Sequence, residues 1–441
     1  MEIDGIRLLG DGIVLGNVIK SAAIAIFVLC SQTWAQSAGP SPRSFIAAGD
    51  YNGARSALRK LVAGDPNAPL HVAYLEALIR LHENDPRAAI RIFRQILNVD
   101  PSYEPARRDL TVTLALTGNT ESALYNAERL AGSTTSDRLR ADLEAYISQN
   151  RQGKPRGMVL RFSLLPSTNA NRGTSEAEIT IGNLPFVLDD ASRAKAGIGL
   201  SAGATAWNRW TLGQAWSATV SASVDARLYD TPSLNDYRVG TRLDFAESRT
   251  NRRLAFGPQA ELAFKGDQRY RSRLGLGATG GWVIAPGREI GASLSIFHQA
   301  YPVEQYRNGI AASAVLGYRH TLSATTNLSA SLTLDTEDTR RSHLNHTDVG
   351  LILGVDHERK NGLIGSLWAG YRNDDYVGNF PATISPRNDK VMTVGFTVKL
   401  RKFNFGGYAP ELSYTYTRSN SNISLFDYDS HDLGLALSKR F

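Results

Sequence analysis

The chain carries one cysteine, Cys30, among its 441 residues. A lone thiol excludes an internal disulfide and a cysteine metal site. Long apolar runs are missing too. Beyond the N-terminal segment no stretch reaches the roughly 18 apolar residues that read as a spanning helix. That excludes a helical membrane bundle but not a barrel, whose strands alternate oily and polar residues so that hydropathy averages out. Mean hydropathy is −0.24. Clustered charge is the third lack. The net charge of +7 is spread along the chain, without the lysine or arginine run of a nucleic-acid binder, so no nucleic-acid partner is expected.

Catalytic and cofactor signatures are absent as well. The eight histidines are scattered. His343 and His346 lie close in sequence, but no carboxylate or cysteine cluster joins them, and a solvated outer loop is the expected setting. Ser430-His431-Asp432 is no triad, because adjacent strand residues face opposite ways. Gly275-Leu276-Gly277 and Thr279-Gly280-Gly281 sit inside a strand pattern with no helix to follow, so they do not cradle phosphate. There such glycines thin a wall or ease its curvature. The expectation is a non-enzyme with no catalytic residue, cofactor or metal.

What is present starts with an export signal. Lys20 precedes an apolar core, Ala22 to Cys30, followed by the small-x-small site Thr33-Trp34-Ala35. Residues 1–35 read as a secretory signal peptide cleaved after Ala35. Cys30 leaves with it, since Leu29 is not the small residue that a lipid-attachment site needs.

Residues 41–149 have a helical period that repeats. Gly49-Asp50-Tyr51-Asn52-Gly53-Ala54 has counterparts in Asn84-Asp85-Pro86-Arg87-Ala88-Ala89 and Gly118-Asn119-Thr120-Glu121-Ser122-Ala123. Ala54, Ala89 and Ala123 are the small residues that let two helices approach. Leu58 and Leu61, Phe93 and Ile96, and Ala127 and Leu130 extend the buried stripe. Asp65-Pro66 and Asp100-Pro101 stop one helix and start the next. Leu139, Leu143, Tyr146 and Ile147 suggest a closing helix. This domain resembles tetratricopeptide repeats, with Ala89, Phe93 and Pro101 the best-fitting positions. The resemblance implies a groove for a partner protein; a small helical plug or spacer is the alternative. Residues 150–156 form a basic linker rich in glycine and proline.

From 157 to 441 the period drops to two. Fourteen alternating segments are expected, an even number as bacterial single-chain barrels require. Trp216 to Leu228 is strict: odd positions polar, even positions apolar. Met392 to Leu400 is as strict, and in Leu254 to Phe264 the large apolar residues share one side. A lysine or arginine on the lipid face near mid-membrane costs about 2–4 kcal/mol. Asp225, Arg227, Arg242, Asp244, Glu261, Arg271, Arg273 and Lys399 are therefore expected inside, as polar contacts of the bore. Short and longer connections alternate, which implies that both chain ends, and the helical domain, lie in the periplasm. The longest are expected after the first strand and at 377–388. Trp207, Trp210, Trp282, Tyr301 and Tyr306 sit near strand ends, as an aromatic girdle would. A soluble lipocalin-like barrel has about eight strands and an oily interior, which fits neither the count nor the charges.

The last segment steps back by two from Phe441 through Leu437, Leu435 and Leu433. It resembles the closing strand of bacterial outer-membrane barrels, which the barrel assembly machinery reads, although Lys439 breaks the pattern. Phe162 to Asn171 resembles the first strand of the surface lipoprotein assembly modulators, grouped with the type eleven secretion systems. That strand leads into a Pro-x-x-Asn-x-Asn segment, here Pro166, Asn169 and Asn171, with Ser167 where the family often has an acid. The order of signal, short repeat domain and barrel is similar to that family over about 45–441. The resemblance implies an outer-membrane translocator for lipoprotein or soluble protein cargo, with a periplasmic chaperone as a further partner. Two rivals share part of this layout: a polysaccharide-export porin, which carries many more repeats, and a passive solute porin with an accessory domain.

Overall fold

The computed structural model describes residues 41–150, 155–181, 184–190, 192–400, 403 and 409–438. Residues 1–40, with the expected signal peptide and Cys30, residues 151–154 of the expected linker, and Lys439 and Phe441 lie outside the described residues. The chain divides into a helical unit and a barrel unit.

The helical unit is built of paired helices. They are α1 (Pro42–Ala47) with α2 (Tyr51–Leu61), α3 (Ala68–His82) with α4 (Pro86–Val99), and α5 (Glu104–Leu116) with α6 (Thr120–Ser133), followed by α7 (Asp137–Asn150). The repeat has a local cause at each turn. Gly49, Asn84 and Gly118 take φ of 77°, 59° and 76°, the left-handed conformation that ends a helix and that glycine or asparagine tolerates. Asp50 and Asp85 then cap the next helix, accepting from the amides of Gly53 and Ala88. Four residues beyond each left-handed residue plus one, Ala54, Ala89 and Ala123 are fully buried. Phe93 is fully buried beside the ring of Tyr74, centroid to centroid 6.1 Å. Pro101 receives a 2.6 Å hydrogen bond on its carbonyl from buried Arg107. Leu61 departs from expectation: it is exposed, and Val62, where α2 ends, fills the core.

Burial sets the acid–base behaviour of this unit. Tyr74 donates to Asp109 at 2.5 Å, and desolvation together with that carboxylate pushes its phenol up. Burial raises Tyr103 and Tyr146 from the usual 10 to about 12. A raised phenol favours the neutral form in the folded state. Its contribution to stability is complete below pH ~10 and is lost as pH climbs through the folded value. A tyrosinate absorbance titration of the helical segment should show Tyr74, Tyr103 and Tyr146 ionising late. Helicity should begin to fall once the pH exceeds about 10.

The barrel unit is a closed antiparallel meander of fourteen strands. They are β1 (Arg156–Ser167), β4 (Gly197–Thr211), β5 (Trp216–Tyr229), β6 (Asp236–Ser248), β7 (Arg252–Lys265), β8 (Gln268–Ala285), β9 (Arg288–Ala300), β10 (Gly309–Thr321), β11 (Thr326–Thr339), β12 (His346–Arg359), β13 (Leu363–Asn379), β14 (Pro386–Leu400), β15 (Ala409–Ser421) and β16 (Tyr428–Ser438). β1 closes the wall between β4 and β16. A small hairpin, β2 (Glu178–Ile181) and β3 (Leu184–Val187), stands in the connection after β1.

Turns 212–215, 249–251, 286–287, 322–325 and 360–362 share one rim with the start of β1. The opposite rim holds the long 168–196 segment and medium loops. The expected long loop at 377–388 shrinks to 380–385, because β13 and β14 pair across most of it, back to Asn379 with Pro386. The medium loops share one device. Asn235, Asn308 and Asn345 each accept from an amide at or just past the end of the preceding strand (Tyr229, Tyr301 and Thr339) at 2.7–2.8 Å. An asparagine that bonds its own loop backbone makes the turn stiff.

Candidate lumen and barrel seam

Alternation puts two chemistries on the two faces of the wall. Leu316, Leu332 and Leu351 are register partners across β10, β11 and β12, and all three are exposed apolar residues. The other face is polar, and it is the concave one. Arg273 on β8 and Glu337 on β11 approach to 3.9 Å although three strand spacings, about 14 Å of backbone, separate them. Only side chains converging on the inside of a curved wall can do this.

The eight charged residues expected in the bore are tied to wall partners, with one exception in the pairing. Asp225 meets Arg161 at 2.8 Å. Arg242 meets Asp244 at 2.7 Å, Arg271 meets Glu261 at 2.9 Å, and Lys399 meets Glu411 at 3.2 Å. Arg273 donates to Gln299 at 3.1 Å, and Gln299 in turn bonds Glu337. Arg227 lies in register with Ser201 on one side and Asp236 on the other. Gly203 and Gly277 make room for these groups. A Cβ on Gly203 would come within 2.4 Å of Asp225 Oδ1, and one on Gly277 within 3.2 Å of Arg242 Nη1.

A second charged set was not singled out from the sequence. Arg372 is held by Asp374 at 2.5 and 2.7 Å, and Arg387 by Asp389 at 2.8 Å with its guanidinium over Tyr376. His346 stacks on Tyr376 at 4.9 Å and lies 3.7 Å from Asp348. His346 therefore belongs to strand β12 rather than to an outer loop; His343 alone stays in the turn Ser342–Leu344. A cavity of about 410 Å³ opens beside Arg273, Phe297, Asp335, Glu337 and His346. Asp335 and Asp348 are register partners, so β11 and β12 line one polar strip. The sequence signal was there: Asp335, Glu337, Asp348 and Asp374 obey the same period of two as Asp225.

The aromatic girdle needs correction. Trp210 and Trp282 are exposed at strand ends, and Tyr306 is exposed on its turn. Trp207 is on the polar face, packed over Gly157, where a Cβ would meet its ring at 2.5 Å. Tyr301 is buried against Tyr270 and Arg307.

The first-strand segment sits at the closure of the barrel. Thr168 donates its amide to the His431 carbonyl at 3.0 Å, and Thr168 Oγ1 accepts from the His431 amide at 2.9 Å. Asn169 Nδ2 donates to the carbonyls of Gly173 and of Asp429 on β16, at 2.8 and 2.9 Å. Asn171 holds the far side of the same connection, donating to the Arg193 carbonyl and accepting from the Lys195 amide. Pro166, next to this knot, is in register with Ile198 of β4. Leu433, Leu435 and Leu437 on β16 turn their side chains outward and are exposed. Ser430 bonds Asp432 at 3.0 Å while His431 bonds Tyr414 on the other face, so these three form no triad.

The family model described as surface lipoprotein assembly modifier matches residues 160–441. The chain belongs to that family. It is similar to the surface lipoprotein assembly modifier of Pasteurella multocida (strain Pm70), 21% identical over 398 residues, covering 85% of this chain and 77% of the relative. Similarity to surface lipoprotein assembly modifier 1 of Haemophilus influenzae (strain ATCC 51907 / DSM 11121 / KW20 / Rd) is 24% over 373 residues, covering 80% and 74%. A hemophilin secretion modulator of Acinetobacter baumannii is 31% identical over 96 residues, covering 21% of this chain and 19% of that one. The solved structure of the CymD monoaromatic hydrocarbon channel overlays loosely, with a TM-score of 0.34 and 11% identity over 68% of this chain and 91% of that one. As a surface lipoprotein assembly modifier with a closed fourteen-stranded barrel, the chain is an outer-membrane protein of surface assembly and secretion.

Proposed function

We propose that this protein is a translocator that carries protein cargo, lipoprotein or soluble, from the periplasm to the cell surface. The helical unit, on the periplasmic side, recruits cargo or a chaperone, and the barrel is the conduit. The observation that carries this reading is the polar concave face within a family-matched barrel. The wall's charges are neutralised in pairs such as Arg161–Asp225 and Arg271–Glu261. Such a surface is wet without a strong field, and it offers a passing polypeptide many weak contacts and no trap. No reacting group or cofactor enters the proposal. Lipid around the leucine face and the barrel assembly machinery at β16 complete the set of partners.

The experiment is surface shaving of intact cells. Deletion of the gene should remove particular proteins from the shaved set. Deletion of 41–151 alone should reduce the same proteins while the barrel still reaches the membrane. Unchanged display in the second strain would end the recruitment role.

A further inference from the structure

We propose that the wall opens sideways between β1 and β16, and that this slot passes the acyl chains of lipid-anchored cargo while the polypeptide uses the bore. This rests on the translocator reading above. An acyl chain dragged through the polar bore would exchange lipid for water along its whole length. A slot that faces both the bore and the membrane avoids that exchange.

The seam is built unlike the strand pairs beside it. β1 is in register with β4 at twelve consecutive residues, Arg156 to Ser167. With β16, whose described residues run to Ser438, opposite Arg161, it is in register at Ser163–Ala436, Leu164–Leu435 and Ser167–Asp432, with a gap at Leu165 and Pro166 between them. The gap has a chemical cause. Thr168 donates its amide to β16, and amides along a strand alternate in direction. Position 166 is therefore the next one whose N–H would point at β16. It is Pro166, which has no N–H to give.

The lips suit such a passage. Phe162, Leu164, Leu433 and Leu435 are exposed on the outer face, while Ser163 lies on the polar face with Arg161. The knot of Thr168 and Asn169 with His431 and Asp429 clasps the seam at the end where β1 leaves the wall. The structure thus pairs a weak middle with a polar latch.

The test locks the seam. Ser163 and Ala436 are partners at a position between the amide-exchanging pairs, the geometry that accepts a disulfide best. In intact cells the Ser163→Cys/Ala436→Cys double variant, oxidised or closed with a short bis-maleimide, should lose display of acylated surface proteins to the level of the gene deletion. Reduction of the disulfide should restore it. A control lock across β14 and β15, Thr397→Cys/Ser413→Cys, should keep the parental level. Pro166→Thr restores the missing N–H without a covalent bond and should lower display while the barrel remains heat-modifiable on a gel. Parental display with the seam locked, or with Pro166→Thr, overturns the lateral slot and leaves the translocator standing. A gene deletion that changes no surface protein removes the translocator reading and the slot together.

Discussion

Phe93→Ala should loosen the helical unit by about 3–5 kcal/mol, the usual cost of deleting a fully buried phenyl ring. Phe93 is fully buried among Leu58, Tyr74, Leu97 and Leu110 in a single core cluster. It sits at the position where α4 closes on the preceding helix, four residues past Ala89. Ala89 has only a methyl group, which cannot swing into the void, and Tyr74 is pinned by Asp109 at 2.5 Å, so the site cannot collapse. A domain holds only about 5–15 kcal/mol in total, and the loss is a large share of that. Hydrogen exchange on the full-length protein should show α3, α4 and α5 amides exchanging roughly two to almost four powers of ten faster, at ~1.4 kcal/mol per tenfold. Leu116→Ala, on an exposed side chain of α5, should move the same amides hardly at all. Equal effects from the two variants would mean that the repeat core is not organised around Phe93.

The two periods, 3.6 then 2, carry most of the architecture in plain sight. Ala54, Ala89 and Ala123 recur because helix pairs repeat, and strict alternation from Trp216 to Leu228 defines a strand with two unlike faces. Alternation assigns a face but not a neighbour. That Asp225 meets Arg161, or Arg273 the side chains of Gln299 and Glu337, depends on strand register and on the shear of the closed wall. Neither is written in any one strand. Trp207 is a different case, one that alternation itself decides. Its place near a strand end suggests a girdle, but its parity puts it inside with Gly157. The loop at 377–388 is shorter than its composition suggests because Asn379 and Pro386 still pair beyond an irregularity after Asp375, and nothing in the local composition marks a bulge. The part played by Asn169 was legible only as a resemblance. Its hydrogen bond to Asp429 joins residues 260 apart, and no local pattern encodes so distant a contact.

Leu332→Arg should cost about 2–4 kcal/mol, while Ser331→Arg, one residue earlier, should cost about 1 kcal/mol or less. The two sites share a strand, a depth and a substitution, and differ only in face. Leu332 lies mid-strand on β11 between Leu316 and Leu351, in an exposed leucine row that would place a guanidinium in hydrocarbon. Ser331 has Gly317 as its partner on β10, on the face that carries Asp335 and Glu337, where a guanidinium meets water and carboxylates. Snorkelling offers little rescue at Leu332, because the strand centre is farthest from both rims. Urea unfolding of the protein in lipid vesicles, followed by the loss of the heat-modifiable band, reads both variants against the parent. A wide gap with Leu332→Arg the weaker protein is the expected result. If the two arginines cost the same, the leucine row does not face lipid. The polar face then loses its claim to be a water-filled bore, and with it goes the physical reason for a polypeptide to pass this way.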